Sequence, residues 1–201
     1  MSWPRVLLLA ITLVLSACAG QAKRVSVELD WEQHRAQLQK LENWTASGKL
    51  ALRTADKAES ATLQWQQQAG ESHLSLSGPM GMNAVTVHSD GQRMQVQRAD
   101  RSREFDVSTP DAVLRNTGWE LPLQALPYWL KGAPSPQLPV QSLELDSERD
   151  LLRALQQDDW QIDYLEYDDF QGLTLPTRLQ IQRTGTVVKI ILHDWQTHQA
   201  E

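Results

Sequence analysis

The chain is poor in cysteine. It has one in 201 residues, so no disulfide can close within it and no thiol cluster can hold a metal. Phenylalanine is scarce (two) while tryptophan is abundant (eight). Trp combines a large apolar body with a polar edge and suits both cores and wet apolar surfaces. Positive charge is not in excess: the formal net charge is −6. No basic block is interleaved with aromatics, which argues against a nucleic-acid partner. The histidines, His34, His73, His88, His193 and His198, show no close zinc-type pairing and read as surface residues. A G-x-S-x-G elbow is missing. The segment "ASGKL" around Gly48-Lys49 lacks the first glycine and the hydroxyl residue of a phosphate loop. Asp158-Asp159 and Asp168-Asp169 are adjacent acids, which point to opposite faces of a strand or sit solvated in turns, so they form no acid–base pair. The expectation is no enzyme, no metal and no cofactor.

Long apolar runs are lacking too. The longest, Val6 to Leu15, is too short to span a bilayer but fits the core of a signal peptide, with Arg5 before it. It leads into Leu15-Ser16-Ala17-Cys18, which resembles the lipobox of bacterial lipoproteins. That resemblance implies removal of residues 1–17 and lipidation of Cys18 (diacylglyceryl thioether and acylated amino terminus). An ordinary secretory signal with an incidental cysteine is the other reading. Residue 19 is Ala rather than Asp, which favours sorting to the outer membrane, lipid-anchored and facing the periplasm. Residues 18–29 read as a lipidated tether.

What remains, 30–201, has the length and the 41% hydrophobic content of one globular domain. Asp30 is placed to cap a helix running to about Asn43. From residue 44 the apolar period becomes two. Leu50 and Leu52 share a side, as do Ala61, Leu63 and Trp65, then Leu74 and Leu76, Val85 and Val87, Met94 and Val96, Phe105 and Val107. Ala69-Gly70, Asp90-Gly91 and Ala99-Asp100 carry turn chemistry. The pattern predicts an antiparallel meander with one apolar face. Thr109-Pro110 opens a short helix ending near Gly118. "PLQALPYWLKG" reads as another, with Leu123, Leu126 and Leu130 on one face and Gly132 beyond its end. "APSPQLP" is a linker, and "LQIQR" and "VVKIILHDW" flank Thr184-Gly185 as a hairpin. Residues 151–159 are helical in composition, but Asp158-Asp159 suits a turn; they are read as strand.

The lipobox, "WEQHRAQLQKLENW", "TASGKLAL", "LQWQQQ", "LSLSGPMGMNAVTV", "LPLQALPYWLKG" and "LPTRLQIQRTGTVVKIILHDW" together resemble the LolB family of outer-membrane lipoprotein receptors. The resemblance covers most of the chain after the signal peptide. It implies a mainly β (α+β) fold, an incomplete antiparallel barrel of about eleven strands with a lid of short helices. It implies a monomer that accepts acylated lipoproteins from the periplasmic carrier LolA and inserts their lipid into the outer membrane, with no cofactor.

An apolar sheet face under a modest cover leaves room for a cavity. Candidate lining residues are Leu50, Leu52, Leu63, Trp65, Leu74, Leu76, Val85 and Val87; candidate lid residues are Leu123, Leu126, Trp129 and Leu130. Plain core packing is the alternative for each. The turn Gly78-Pro79-Met80-Gly81 puts an apolar side chain where a tip normally meets water. In the LolB family the matching loop carries a protruding apolar residue, commonly Leu. The resemblance therefore implies that Pro79, Met80 and Gly81 form a membrane-insertion loop. A lipid-anchored binding protein for a free hydrophobic ligand is the other functional reading.

Overall fold

The computed structural model describes residues 30–109, 112, 115 and 122–198. The expected signal peptide, Cys18 and the tether lie outside these residues. So does most of the helix expected after Thr109, although the Ala112 N–H donates to Thr109 Oγ1 at 3.2 Å.

Helix α1, Trp31–Lys40, starts where Asp30 accepts a hydrogen bond from the Glu32 N–H, satisfying one of the free donors of the first turn. It ends before Asn43, where the chain has already entered the sheet. The face it buries is Trp31, His34 and Leu38. His34, expected at the surface, is buried because its i, i+3, i+7 spacing with these apolar neighbours places it against the core. Burial pulls its pKa below the usual imidazole value, which favours the neutral ring.

Eleven strands follow: β1 Asn43–Thr54, β2 Ala58–Gln68, β3 Glu71–Ser77, β4 Val85–Ser89, β5 Arg93–Arg98, β6 Arg101–Asp106, β7 Val140–Leu145, β8 Leu152–Gln157, β9 Trp160–Phe170, β10 Leu173–Arg183 and β11 Thr186–His198. They form one antiparallel sheet in the order β6-β5-β4-β3-β2-β1-β11-β10-β9-β8-β7. Two consecutive meanders are joined where the first strand pairs with the last. Among the described residues β6 and β7 have no mutual pairing, so the shell is incomplete, as the family resemblance implies. Exposed Arg101 and Arg103 on the β6 edge discourage pairing with other chains. Residues 152–157 are strand because Leu152, Leu155 and Gln157 are buried while both edges pair, with β7 and β9; tertiary pairing overrides a helix-favouring composition.

The apolar face is occupied unevenly. The β7–β11 side, with β1, β2 and α1, holds a large cluster that includes Trp44, Leu155, Trp160, Ile162, Leu179, Ile181 and Trp195. Three indoles pack there, Trp44 with Trp65 at 6.0 Å and with Trp195 at 5.1 Å between ring centroids, a favourable tilted arrangement. The β4–β6 side holds a small cluster, Val87, Met94 and Val107. Leu74 packs against both. The space between the two clusters is not filled.

Candidate functional site: a lidded apolar cavity and an exposed apolar tip

That space is a partly open cavity of about 730 Å³. Trp44 and Trp65 wall it on the side of the large cluster, Leu74 and Leu76 form its floor, and Val87, Met94 and Val107 close the other side. These side chains converge because strand alternation sends every second residue of β1 to β5 to one face. The rim is polar, with Gln67, Ser72, Asp90, Gly91 and Gln92. Ser72 Oγ donates to Gln67 Oε1 at 2.6 Å, and Trp65 Nε1 to the same oxygen at 3.2 Å. Hydrogen bonds from the Arg93 and Gln92 N–H groups hold the Asp90 carboxyl below its ordinary pKa, so it is ionised at neutral pH.

The cover comes from residues 122–132 and helix α2, Leu126–Leu130. Leu123, Leu126, Pro127, Tyr128 and Lys131 line the cavity. Trp129 and Leu130, the other two candidate lid residues, lie in the same helix but turn away from the cavity: both are 0% exposed and belong to the large cluster. Trp129 Nε1 donates to Gln157 Oε1 at 2.7 Å, and Tyr164 OH donates to the Trp129 carbonyl at 2.9 Å. In a one-turn helix only one side can meet the cavity; here Leu126 and Tyr128 meet it, and Trp129 and Leu130 anchor the other side.

The cover is tied down at both ends. Gln124 Nε2 donates to the Gly91 carbonyl at 2.6 Å. Lys131, 5% exposed, donates through Nζ to the carbonyls of Leu38 and Leu41 at 2.9 and 2.8 Å, capping the end of α1 with its charge at the favourable pole. Sequence reasoning does not single out Lys131; a lysine after an amphipathic turn reads as solvated.

Burial lowers the Lys131 pKa to about 8, with Glu42 opposing the shift. Below that value the amine is charged in the folded and unfolded chains alike, and the burial penalty is fully present. Between about 8 and the ordinary value of 10.5 the folded chain loses the proton first, so stability from this position rises with pH. Measured against Lys131→Met, urea unfolding should show the difference (wild type minus variant) growing by about 3 kcal/mol from pH 7 to pH 10.5. A flat difference would mean that the amine is solvated.

Four of the eight predicted lining residues, Trp65, Leu74, Leu76 and Val87, are in the cavity wall. Leu63 is packed into the large cluster, 2% exposed. Leu50 and Leu52 flank that cluster, opposite Ala61 and Glu59 near the β1–β2 turn, and Val85 packs on the small one. The cavity sits toward the other end of the strands, at the β2–β3 and β4–β5 turns. Alternation identifies the face of a residue but not its distance along the strand from the opening.

Leu76, in the cavity wall, is followed within a few residues by the loop that joins β3 to β4. There Pro79–Gly81 make a single turn. Hydrogen bonds from Gly78 N to Met82 O (2.8 Å), Gly81 N to Gly78 O (3.1 Å) and Met82 N to Pro79 O (3.3 Å) close it. Met80 is 98% exposed at its apex, and Met82, which periodicity does not flag, is 59% exposed. Met80 has φ 59°, a left-handed conformation costing a non-glycine residue about 1–2 kcal/mol. The loop thus holds an apolar side chain outward in a strained but internally bonded turn.

Comparison with known proteins bears on the family and the fold. A family model described as "Outer membrane lipoprotein LolB" matches residues 42–195. "Outer-membrane lipoprotein LolB" of Stutzerimonas stutzeri is 33% identical over 195 residues, covering 94% of this chain and 93% of that protein. The protein of the same name from Pseudomonas aeruginosa is 34% identical over 192 residues, covering 92% of each chain. Among solved structures, a LolA superfamily protein from Nitrosomonas europaea superposes with a TM-score of 0.52 at 10% identity, over 86% of this chain and 96% of that one. At that identity the likeness is one of fold.

Proposed function

The chain belongs to the outer-membrane lipoprotein LolB family, and from that premise we propose that it accepts acylated lipoproteins from the periplasmic carrier LolA and passes their lipid into the outer membrane. Membership places it in outer-membrane lipoprotein localisation. The observation that supports the finer reading is the unfilled apolar cavity beside an otherwise well-filled core. Acyl chains shed about 0.8 kcal/mol of hydration cost per buried CH₂, and apolar walls recognise a lipid without regard to the protein attached to it. At roughly 30 Å³ per methylene, similar to water's share of liquid volume, a sixteen-carbon chain needs about 480 Å³. The cavity as it stands therefore takes one chain and part of a second. A cargo with three requires the cover to lift, and the Gln124 and Lys131 ties are the contacts that must give. Both are single side chains, whereas Trp129 and Leu130 hold α2 to the rigid side. The hinge should therefore lie at α2.

Transfer needs only a difference in affinity: about 1.4 kcal/mol in favour of the receptor over the carrier biases cargo tenfold. The membrane, binding the lipid tighter still, completes a downhill sequence. The test is membrane-free. An acylated lipoprotein bound to LolA is mixed with a soluble form of this protein lacking Cys18, and the location of the cargo is read by pull-down. Movement of most of the cargo to this protein is the expected result. Cargo that stays on the carrier would instead indicate a binder of free hydrophobic ligands.

A further inference from the structure

We propose that Glu71, His73 and His88 form a binding site for a borderline divalent transition metal, zinc foremost, on the face of the β3–β4 hairpin opposite the cavity. Neither the transport reading nor the family match uses these three residues. The two histidines are separated in sequence by the whole Met80 loop, so spacing alone shows no metal motif. The antiparallel register sets His73 directly opposite His88, with Glu71 two residues back along β3. Their neighbours Ser72, Leu74, Val87 and Ser89 line the cavity, and alternation sends the histidines to the other face.

The geometry is that of a donor set left open. One ligand atom from each of the three residues lies within 4.8 Å of the others. The imidazoles stack with centroids 4.2 Å apart and 19° between planes. Glu71 Oε2 is 3.5 Å from His88 Nε2. Tetrahedral zinc with bonds of about 2.0–2.1 Å spaces its ligands about 3.4 Å apart. One pair is already at that separation, and small side-chain rotations bring in the third. His73 Nδ1 and His88 Nε2 are shielded from solvent and make no hydrogen bond, which ordinarily costs free energy. A metal would occupy those lone pairs. Two imidazole nitrogens and one carboxylate oxygen suit zinc, with a water completing the shell. The side chains of Glu71 and His88 are about half exposed (56% and 43%), so an ion can enter without opening the sheet. Bound there, it would clamp together the two strands that carry the Met80 loop.

The probe is zinc itself, titrated calorimetrically into the metal-free, full-length lipoprotein in detergent. The expected result is a single zinc per chain. His73→Ala and His88→Ala should each weaken binding at least about tenfold, and Glu71→Gln by a smaller factor. His193→Ala, at an exposed position of β11, should leave it unchanged. Zinc should also slow hydrogen exchange of the β3 and β4 amides. Glu71 is exposed, so Glu71→Gln tests the site even if a histidine variant misfolds. Absence of zinc binding overturns the proposal. So does binding that a folded Glu71→Gln or His73→Ala variant retains in full, or that His193→Ala removes.

Discussion

Met80→Glu should accept lipoprotein from the carrier as well as the parent chain does, yet deliver it to liposomes at least about tenfold more slowly. The two steps separate because the cavity wall ends at Leu76 and Met80 lies outside it, 98% exposed. Acceptance depends on the cavity. Delivery, on the proposed reading, depends on the tip entering the boundary between headgroups and acyl chains. A methionine buried there gains about 1.5–3 kcal/mol, whereas a carboxylate meets a penalty of up to about 3 kcal/mol. Even half of that swing exceeds the 1.4 kcal/mol that a tenfold change requires. Two further variants isolate the cause. Met80→Leu keeps the apolar volume and should retain delivery. Met80→Gly relieves the left-handed strain at φ 59°, so it should be no less stable than the parent while still delivering poorly. If Met80→Glu delivers normally, the tip has no part in release.

Much of this fold is legible in the sequence because a sheet with one wet face must alternate. The Leu50, Trp65, Leu74 and Val87 series reports that alternation directly, and Asp30 marks the first helix because a free N–H needs an acceptor there. Features that depend on contacts between distant elements are not legible. Lys131 becomes buried only because α1 ends nearby with unsatisfied carbonyls. His34 is different: its spacing from Trp31 and Leu38 on one helix already carries the signal for burial. His73 and His88 meet because the loop between them folds back on itself. The division of the interior into a filled side and an empty one is a question of volume, and periodicity carries none. Leu63 and Trp65 alternate identically along β2, yet only Trp65 reaches the cavity.

Gly48→Ala should cost several kcal/mol, enough to abolish cooperative folding or to lower stability by at least about 3 kcal/mol in urea. Gly48 lies in β1 at the seam with β11, where the two meanders join. The register there jumps from Ser47 opposite Asp194 to Gly48 opposite Leu192. His193 is left over as a bulge, which bends the strand. The bend brings the β11 backbone onto Gly48. An added Cβ would lie 1.9 Å from the Ile191 carbonyl oxygen and 2.9 Å from Leu192 Cα. Those are backbone atoms, so no rotamer change can relieve the clash; the strands must part. Parting them severs the join between the side that carries the cavity and the side that anchors the cover. Ala51→Gly, at an exposed site in the same strand, should cost no more than about 1 kcal/mol. That contrast separates the clash from ordinary strand propensity. A loss below 1 kcal/mol for Gly48→Ala would mean that the seam is loose enough to absorb a methyl group. A seam that loose could not hold the cover over the cavity, and lid closure at α2 would lose the rigid base on which it depends.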